Sequence, residues 1–212
     1  LAEQPATLPP GRPELQAVFC IDVRSEVFRR HLERALPGTQ TIGFAGFFGF
    51  PVAHRAGLGG APAARCPVLL VPPVETCEPL SLKTVNRLRA ERAAAGAWQA
   101  FQNSAASCFS FVESVGLGFG VALGRRLAAG RLSCARVAPS FAEASLETRA
   151  ALAAGALRNM SLVENFARLV LICGHGSESA NNPYVSGLVC GACGGHAGDV
   201  NARLAAQTLN DP

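Results

Sequence analysis

Two short apolar runs constrain the fold of this chain more than any other feature, because each ends in side chains that bind metals. Leu15 to Val23 (LQAVFCIDV) and Phe166 to Cys173 (FARLVLIC) are dominated by β-branched, aliphatic and aromatic residues, the pattern of buried strands. The first run leads into a helical period. Val27, Phe28, His31, Leu32, Ala35 and Leu36 fall on one face, expected to be buried with His31 packed inside, while Arg29, Arg30, Glu33 and Arg34 lie opposite. Pro37-Gly38 ends that helix. The second run opens directly onto Gly174-His175-Gly176. Between them, Thr39 to Val52 reads as a strand or tight buried loop, and Cys66 to Val71 (CPVLLV) as a third strand. Ser81 to about Gly130 reads as mostly helical with a break near Gly116–Gly120, and Glu143 to Arg158 as another helix. Val200 to Leu209 forms a closing helix capped by Asp199. Strands alternating with helices predict an α/β fold with a largely parallel sheet flanked by helices, and place function where strands end and loops begin.

Composition removes several alternatives. Hydrophobic residues make up 49% of the 212 residues and charged residues 16%, which excludes disorder as the main state. The net charge of +4 comes from scattered arginines with little aromatic interleaving, so no nucleic-acid partner is expected. Ala93 to Gly124 carries Gln99, Gln102, Asn103 and Glu113; it is too polar for a membrane span but suits a buried or interface-facing helix. No signal-peptide pattern opens the chain. Residues 1–14 hold four prolines and read as a linker, leaving 15–212 as one domain within a longer polypeptide. Eight cysteines without disulfide-scaffold spacing point to buried or metal-binding thiols in a reducing compartment.

The chemistry lies at the two strand ends. In an extended strand Cys20, Asp22 and Arg24 would project to one face, and a buried thiolate beside a carboxylate calls for a counter-charge. His175, followed fifteen positions later by Cys190, completes four ligands that suit tetrahedral zinc. Counting charges, zinc held by two thiolates and the carboxylate is a closed, monoanionic site. Release of Asp22 to Arg24 would open a neutral site to water. Other readings stay open at this point. Cys20 could be a packed thiol and Asp22 a helix cap; Cys193 or His196 could replace Cys190 as a ligand, since Cys190-Gly-Ala-Cys193 has the spacing of a zinc knuckle. Cys173 reads as a buried thiol, Phe44 to Phe50 as core or the wall of an apolar pocket, Gly174-x-Gly176 as a weak nucleotide signal, and His54-Arg55 as a loop pair without a fixed role. Two functional alternatives follow: a structural zinc interaction module, and a metal-free thiol hydrolase using Cys20 and His175.

CIDVRSE resembles the Cys-x-Asp-x-Arg element of β-carbonic anhydrases, without their usual His-x-x-Cys pair. With ICGHGSESANNPYVSGLVCGACGG and RCPVLLVP, the chain is similar to DabA, the β-carbonic-anhydrase-like subunit of an energy-coupled inorganic-carbon uptake complex of bacteria. That resemblance implies a β-carbonic-anhydrase-like core, with Cys20, Asp22, His175 and Cys190 as zinc ligands and Arg24 as the dyad partner of Asp22. It also implies conversion of CO2 to bicarbonate, and a peripheral position on the cytoplasmic side of the cell inner membrane. The implied partner is a DabB-type membrane subunit, similar to the ion-conducting subunits of respiratory complex I.

Overall fold

The computed structural model describes residues 11–57, 59, 61–102, 104, 116, 118, 120–121, 124, 138–176, 184, 187 and 189–211. The chain divides into two compact units, Leu1–Pro79 with Ala138–Pro212, and Leu80–Val137. The first is a mixed α/β structure and carries the strand-end clusters.

Its first sheet is parallel, with strand order β2-β1-β7. Strand β1 (Leu15–Cys20) is central and almost wholly buried. Helix α1 (Val23–Ala35) follows it, then β2 (Thr39–Phe44) on one flank; β7 (Leu169–Cys173) pairs on the other. The expected first and last strands are therefore present, and they are neighbours, with Phe19 opposite Cys173. A second sheet, in the order β4-β3-β5-β6, contains β3 (Val52–Arg55), β4 (Ala63–Arg65), β5 (Val74–Cys77) and β6 (Ser140–Phe141). Its β3–β5 pair is parallel and the other two pairs antiparallel.

Helix α3 (Leu146–Asn159) starts on Ser145, whose side chain accepts from the Thr148 N–H. Helix α4 (Asp199–Leu209) packs on β7 and α3. The core joins Val18 of β1 to Phe48, Phe50 and Val52, to Ala156 and Met160 at the end of α3, and to Leu204 and Ala205 of α4. Burying side chains of this size supplies roughly 1.5–3 kcal/mol each, so this cluster holds the first sheet, α3 and α4 together.

Several expectations are corrected. Cys66–Val71 is not a strand: β4 ends at Arg65, and a turn closed by Leu70 N–H on Pro67 O leaves Val68, Leu69 and Val71 about nine-tenths exposed. The prolines at 67, 72 and 73 offer no N–H to a ladder. Thr39–Val52 divides into β2 and a turn, with Phe48 and Gly49 at positive φ, before β3 begins. On α1 the apolar face is not buried. Val27 and Phe28 are each 58% exposed and His31 is exposed, whereas Ser25 is buried and Arg29 reaches Thr41 of β2. The Phe28 ring packs with its centroid 5.6 Å from that of Phe19. His54-Arg55 lies in β3, not in a loop, and His54 is buried with Nδ1 3.0 Å from Thr76 Oγ1. Gly198, not Asp199, is the cap residue of α4; Asp199 is its first helical residue and pairs with Arg203.

The second unit contains α2 (Leu82–Gln102), capped by Ser81 Oγ accepting from Thr84 N–H at 3.2 Å. Trp98 and Phe101 stack one turn apart on it. The expected helix is present to Gln102; most of the segment beyond lies outside the described residues, but Gly116, Gly118 and Gly120 are described and helical, where a break at Gly116–Gly120 was expected. The linker's first ten residues and much of the loop from Ser177 to Gly198 do so as well. Among the described residues, no helix is long and apolar enough to cross a membrane.

Candidate metal centre

The first sheet changes direction of growth at β1, with β2 added on one side and β7 on the other. In open parallel sheets the loops leaving such neighbouring strand ends diverge and leave a crevice. Cys20 is the last residue of β1, and His175 lies two residues beyond the end of β7. The in-register pairing of these strands thus brings together two residues remote in sequence.

Cys190 joins them. Donor atoms of Cys20, His175 and Cys190 all lie within 4.8 Å of one another, and no other group of three such side chains converges among the described residues. Cys20 Sγ and Cys190 Sγ are 3.3 Å apart. Cys193 belongs to the same buried cluster, with Phe47 and Ala192 packed against it. His196 stays outside the compact donor group; burial, then the nearby Arg65 charge, hold its pKa below the usual value.

Three properties of this centre suit a metal. His175 Nε2 is buried without a hydrogen-bond partner, a costly state for a polar atom that coordination would relieve. Two thiols and an imidazole are the donor set of zinc-type sites. The third property is space. A Cβ added to Gly46 would lie 2.8 Å from Cys20 Sγ, 3.0 Å from Cys193 Sγ and 3.2 Å from Cys190 Sγ, so only glycine leaves these sulfurs room to converge.

Asp22 and Arg24 reach the centre by a different route from the one the strand pattern suggests. The strand stops at Cys20, and Asp22 is the N-cap of α1, with Oδ1 accepting from Arg24 N–H at 2.9 Å. Helix capping and the ion pair therefore coexist. Arg24 Nε donates to Oδ1 at 2.8 Å and Nη2 to Oδ2 at 3.1 Å, a two-pronged grip. The pair, with the nearby His175 charge, lowers the Asp22 pKa to about 2. Its Oδ2 remains 3.8 Å from His175 Nε2, at the rim of the donor group. Burial, reinforced by Cys190 and the Asp22 charge, pushes the Cys20 thiol up to about 12, with the Gly46 backbone pulling the other way. A bare thiol held that high is a poor nucleophile, which weighs against the metal-free hydrolase. Burial also raises Cys173 and Cys193.

Glycines and one asparagine, which sequence reasoning missed, hold the pieces in place. A Cβ on Gly174 would strike the Gly198 backbone, and one on Gly198 would lie 2.8 Å from Gly46 O. The Gly174-x-Gly176 pattern is thus a site of close backbone approach. Gly198 N–H also donates to His175 O at 2.8 Å. The Cys190–His196 knuckle is closed by Cys193 N–H and Gly195 N–H on Cys190 O, and Arg65 Nη1 ties its exit to the second sheet through Ala197 O at 3.1 Å. Asn201, fully buried, donates to Phe50 O at 2.8 Å and Arg65 O at 2.9 Å.

The family model described as "Probable inorganic carbon transporter subunit DabA" matches residues 1–212. The chain belongs to the DabA family. Relatives described as probable inorganic carbon transporter subunits DabA include one from Rhodospirillum centenum, 49% identical over 100% of this chain and 27% of its own length. One from a Bradyrhizobium species (strain BTAi1) is 46% identical over 96% and 28%. Another from Chloroflexus aurantiacus is 42% identical over 99% and 28%. The chain therefore spans little more than a quarter of the DabA relatives it matches. No solved structure matches it.

Proposed function

We propose that this chain is the metal-site portion of a DabA subunit that takes part in inorganic-carbon uptake, holds zinc through Cys20, Asp22, His175 and Cys190, and converts CO2 to bicarbonate. The observation that carries the reading is the convergence of Cys20, His175 and Cys190 around a buried, unpartnered His175 Nε2. Bound zinc would supply the Lewis acidity that makes water nucleophilic near neutral pH. The residues around it do the rest. Phe47 and Ala192 give the centre an apolar flank suited to a non-polar substrate. Asp22 has two allegiances, the donor group at its rim and the Arg24 guanidinium that grips it. Asp22 held by Arg24 would leave the donor group open to substrate, and Asp22 turned toward that group would close it. Coupling that exchange to ion flow through a DabB-type membrane subunit would make hydration one-way. The chain would then act as a peripheral protein on the cytoplasmic side of the inner membrane.

The convergence of three sulfurs at Gly46 also suits a structural zinc module without turnover, and one experiment separates the two. Metal content is measured for the full-length protein and its Cys20→Ala, His175→Ala, Cys190→Ala, Cys193→Ala and Asp22→Ala variants, alongside bicarbonate uptake by cells. One zinc per chain, lost in the first three and retained without uptake in Asp22→Ala, is expected. Full uptake by Asp22→Ala would sink the gate, and folded wild type without zinc would overturn the metal reading.

A further inference from the structure

Cys193 is a fully buried thiol at the centre that the proposed ligand set leaves unused. We propose that Cys190 and Cys193 form an oxidisable dithiol: a peroxide joins them in a disulfide, withdraws Cys190 from the donor group and discharges the metal. The discharge step rests on the reading of Cys190 as a ligand; the disulfide itself does not.

The geometry favours this pair over its rival. Cys193 N–H donates to Cys190 O at 3.0 Å, so the residues are the first and fourth of one turn, with Cα atoms within about 7 Å. Disulfides span about 4.4–6.8 Å between Cα atoms. Gly191, Gly194 and Gly195 flank the pair, the latter two at positive φ, giving the turn freedom to adjust. Cys20 Sγ also lies 3.3 Å from Cys190 Sγ, but Cys20 ends the central strand, paired with Phe44 of β2, and its neighbour Phe19 is paired on both sides. Reaching an S–S bond of about 2.05 Å would have to drag that strand. Cys190 is 8% exposed, while Cys20 and Cys193 are 0% exposed, so a small oxidant meets Cys190 first.

The Cys190 sulfur attacks one peroxide oxygen, the O–O bond breaks, and a sulfenic acid forms as the departing hydroxide takes the Cys190 proton and leaves as water. The Cys193 sulfur then attacks the Cys190 sulfur. The S–O bond breaks, and the departing hydroxide takes the Cys193 proton as water. Two thiols lose two electrons and one peroxide gains them.

The test exposes the full-length protein to hydrogen peroxide. A chromophoric chelator reads metal release, and peptide mapping before and after reduction reads cysteine state. Expected are a Cys190–Cys193 cross-link, metal loss in proportion to it, and recovery of both thiols and metal binding after dithiothreitol and zinc. In Cys193→Ser, metal loss should leave an over-oxidised Cys190 that dithiothreitol does not restore; mapping of wild type decides the matter if that variant does not fold. A Cys20–Cys190 cross-link, or Cys190 sulfinic acid beside a free Cys193 in wild type, would overturn the proposal. Folded wild type that carries no metal as purified, yet forms the Cys190–Cys193 disulfide, would overturn the metal reading and leave the dithiol assignment standing.

Discussion

Replacing Gly46 by alanine tests the centre without touching any donor atom. The added methyl would sit 2.8 Å from Cys20 Sγ, 3.0 Å from Cys193 Sγ and 3.2 Å from Cys190 Sγ. Relaxed non-bonded contact needs about 3.5–4.0 Å, so each sulfur must retreat by something approaching 0.5–1 Å. Little gives way. Cys20 is locked into the central strand, and the Gly46 carbonyl is backed by Gly198. Overpacking of this kind costs about 1–3 kcal/mol, and metal sites tolerate ligand displacements of only about 0.2 Å.

The expected outcome is a fall in Tm of roughly 2–12 °C, at about 2–4 °C per kcal/mol for a chain of this size. If the strain falls on the metal-bound state, zinc affinity should weaken by about 10-fold or more, since 1.4 kcal/mol is a factor of ten. Competition with a calibrated chelator and scanning calorimetry of the full-length protein measure both. Gly191→Ala is the control. Its Cβ would meet nothing within 4 Å, and a change within about 0.5 kcal/mol is expected. A Gly46→Ala protein with the affinity and Tm of wild type would show that the sulfurs do not converge as described.

Three further outcomes follow from the same geometry. Arg24→Gln should return the Asp22 carboxyl from about 2 toward 3.8, read by carbon-detected NMR. Because the folded pKa is depressed, this pair's stabilisation is present above pH 3.8 and fades as pH falls toward 2. Arg24 is 45% exposed, so solvent screening keeps the loss of stability small; an unmoved carboxyl titration would refute the grip. Asn201→Ala leaves one buried and one part-buried carbonyl without their donor and should cost about 1–3 kcal/mol, measured by urea unfolding; a loss below about 0.5 kcal/mol would show the clamp to be dispensable. His54 is held below its ordinary value of 6.5, first by burial and then by Arg65. The unfolded chain therefore takes up this proton at higher pH, and stability should decline as pH falls below about 6.5. His54→Gln should flatten that slope, and an unchanged slope would place its origin elsewhere.

The residues legible in the sequence are those whose placement depends on a strand end. Cys20 and His175 each close an apolar run, and parallel pairing of those runs in register is enough to bring them together. Cys190 was legible by its chemistry and spacing, although no periodicity says how the loop before it returns to the sheet. Asp22 and Arg24 do pair, but for a different geometric reason from the one a strand suggests. Alternation along a strand put them on one face, whereas the strand stops at Cys20 and a helix cap makes the pair. Local chemistry rescued that reading, because an aspartate two residues before an arginine at a helix start can cap and pair at once.

Periodicity failed on α1 for a related reason. It marks which residues are apolar but not which face the sheet receives, and Arg29, hydrogen-bonded to Glu26 and Thr41, takes the inner position that Val27 and Phe28 were expected to hold. CPVLLV shows the converse: composition favoured a strand, and three prolines denied it the donors that a ladder requires. Gly46, Gly198 and Asn201 lay beyond sequence reasoning altogether, since each acts on a backbone or thiol far along the chain. A glycine among phenylalanines shows no sign that three sulfurs will meet it. The donor atoms of the centre were readable because chemistry is carried by side chains; the room they need was not, because it is made by a side chain's absence.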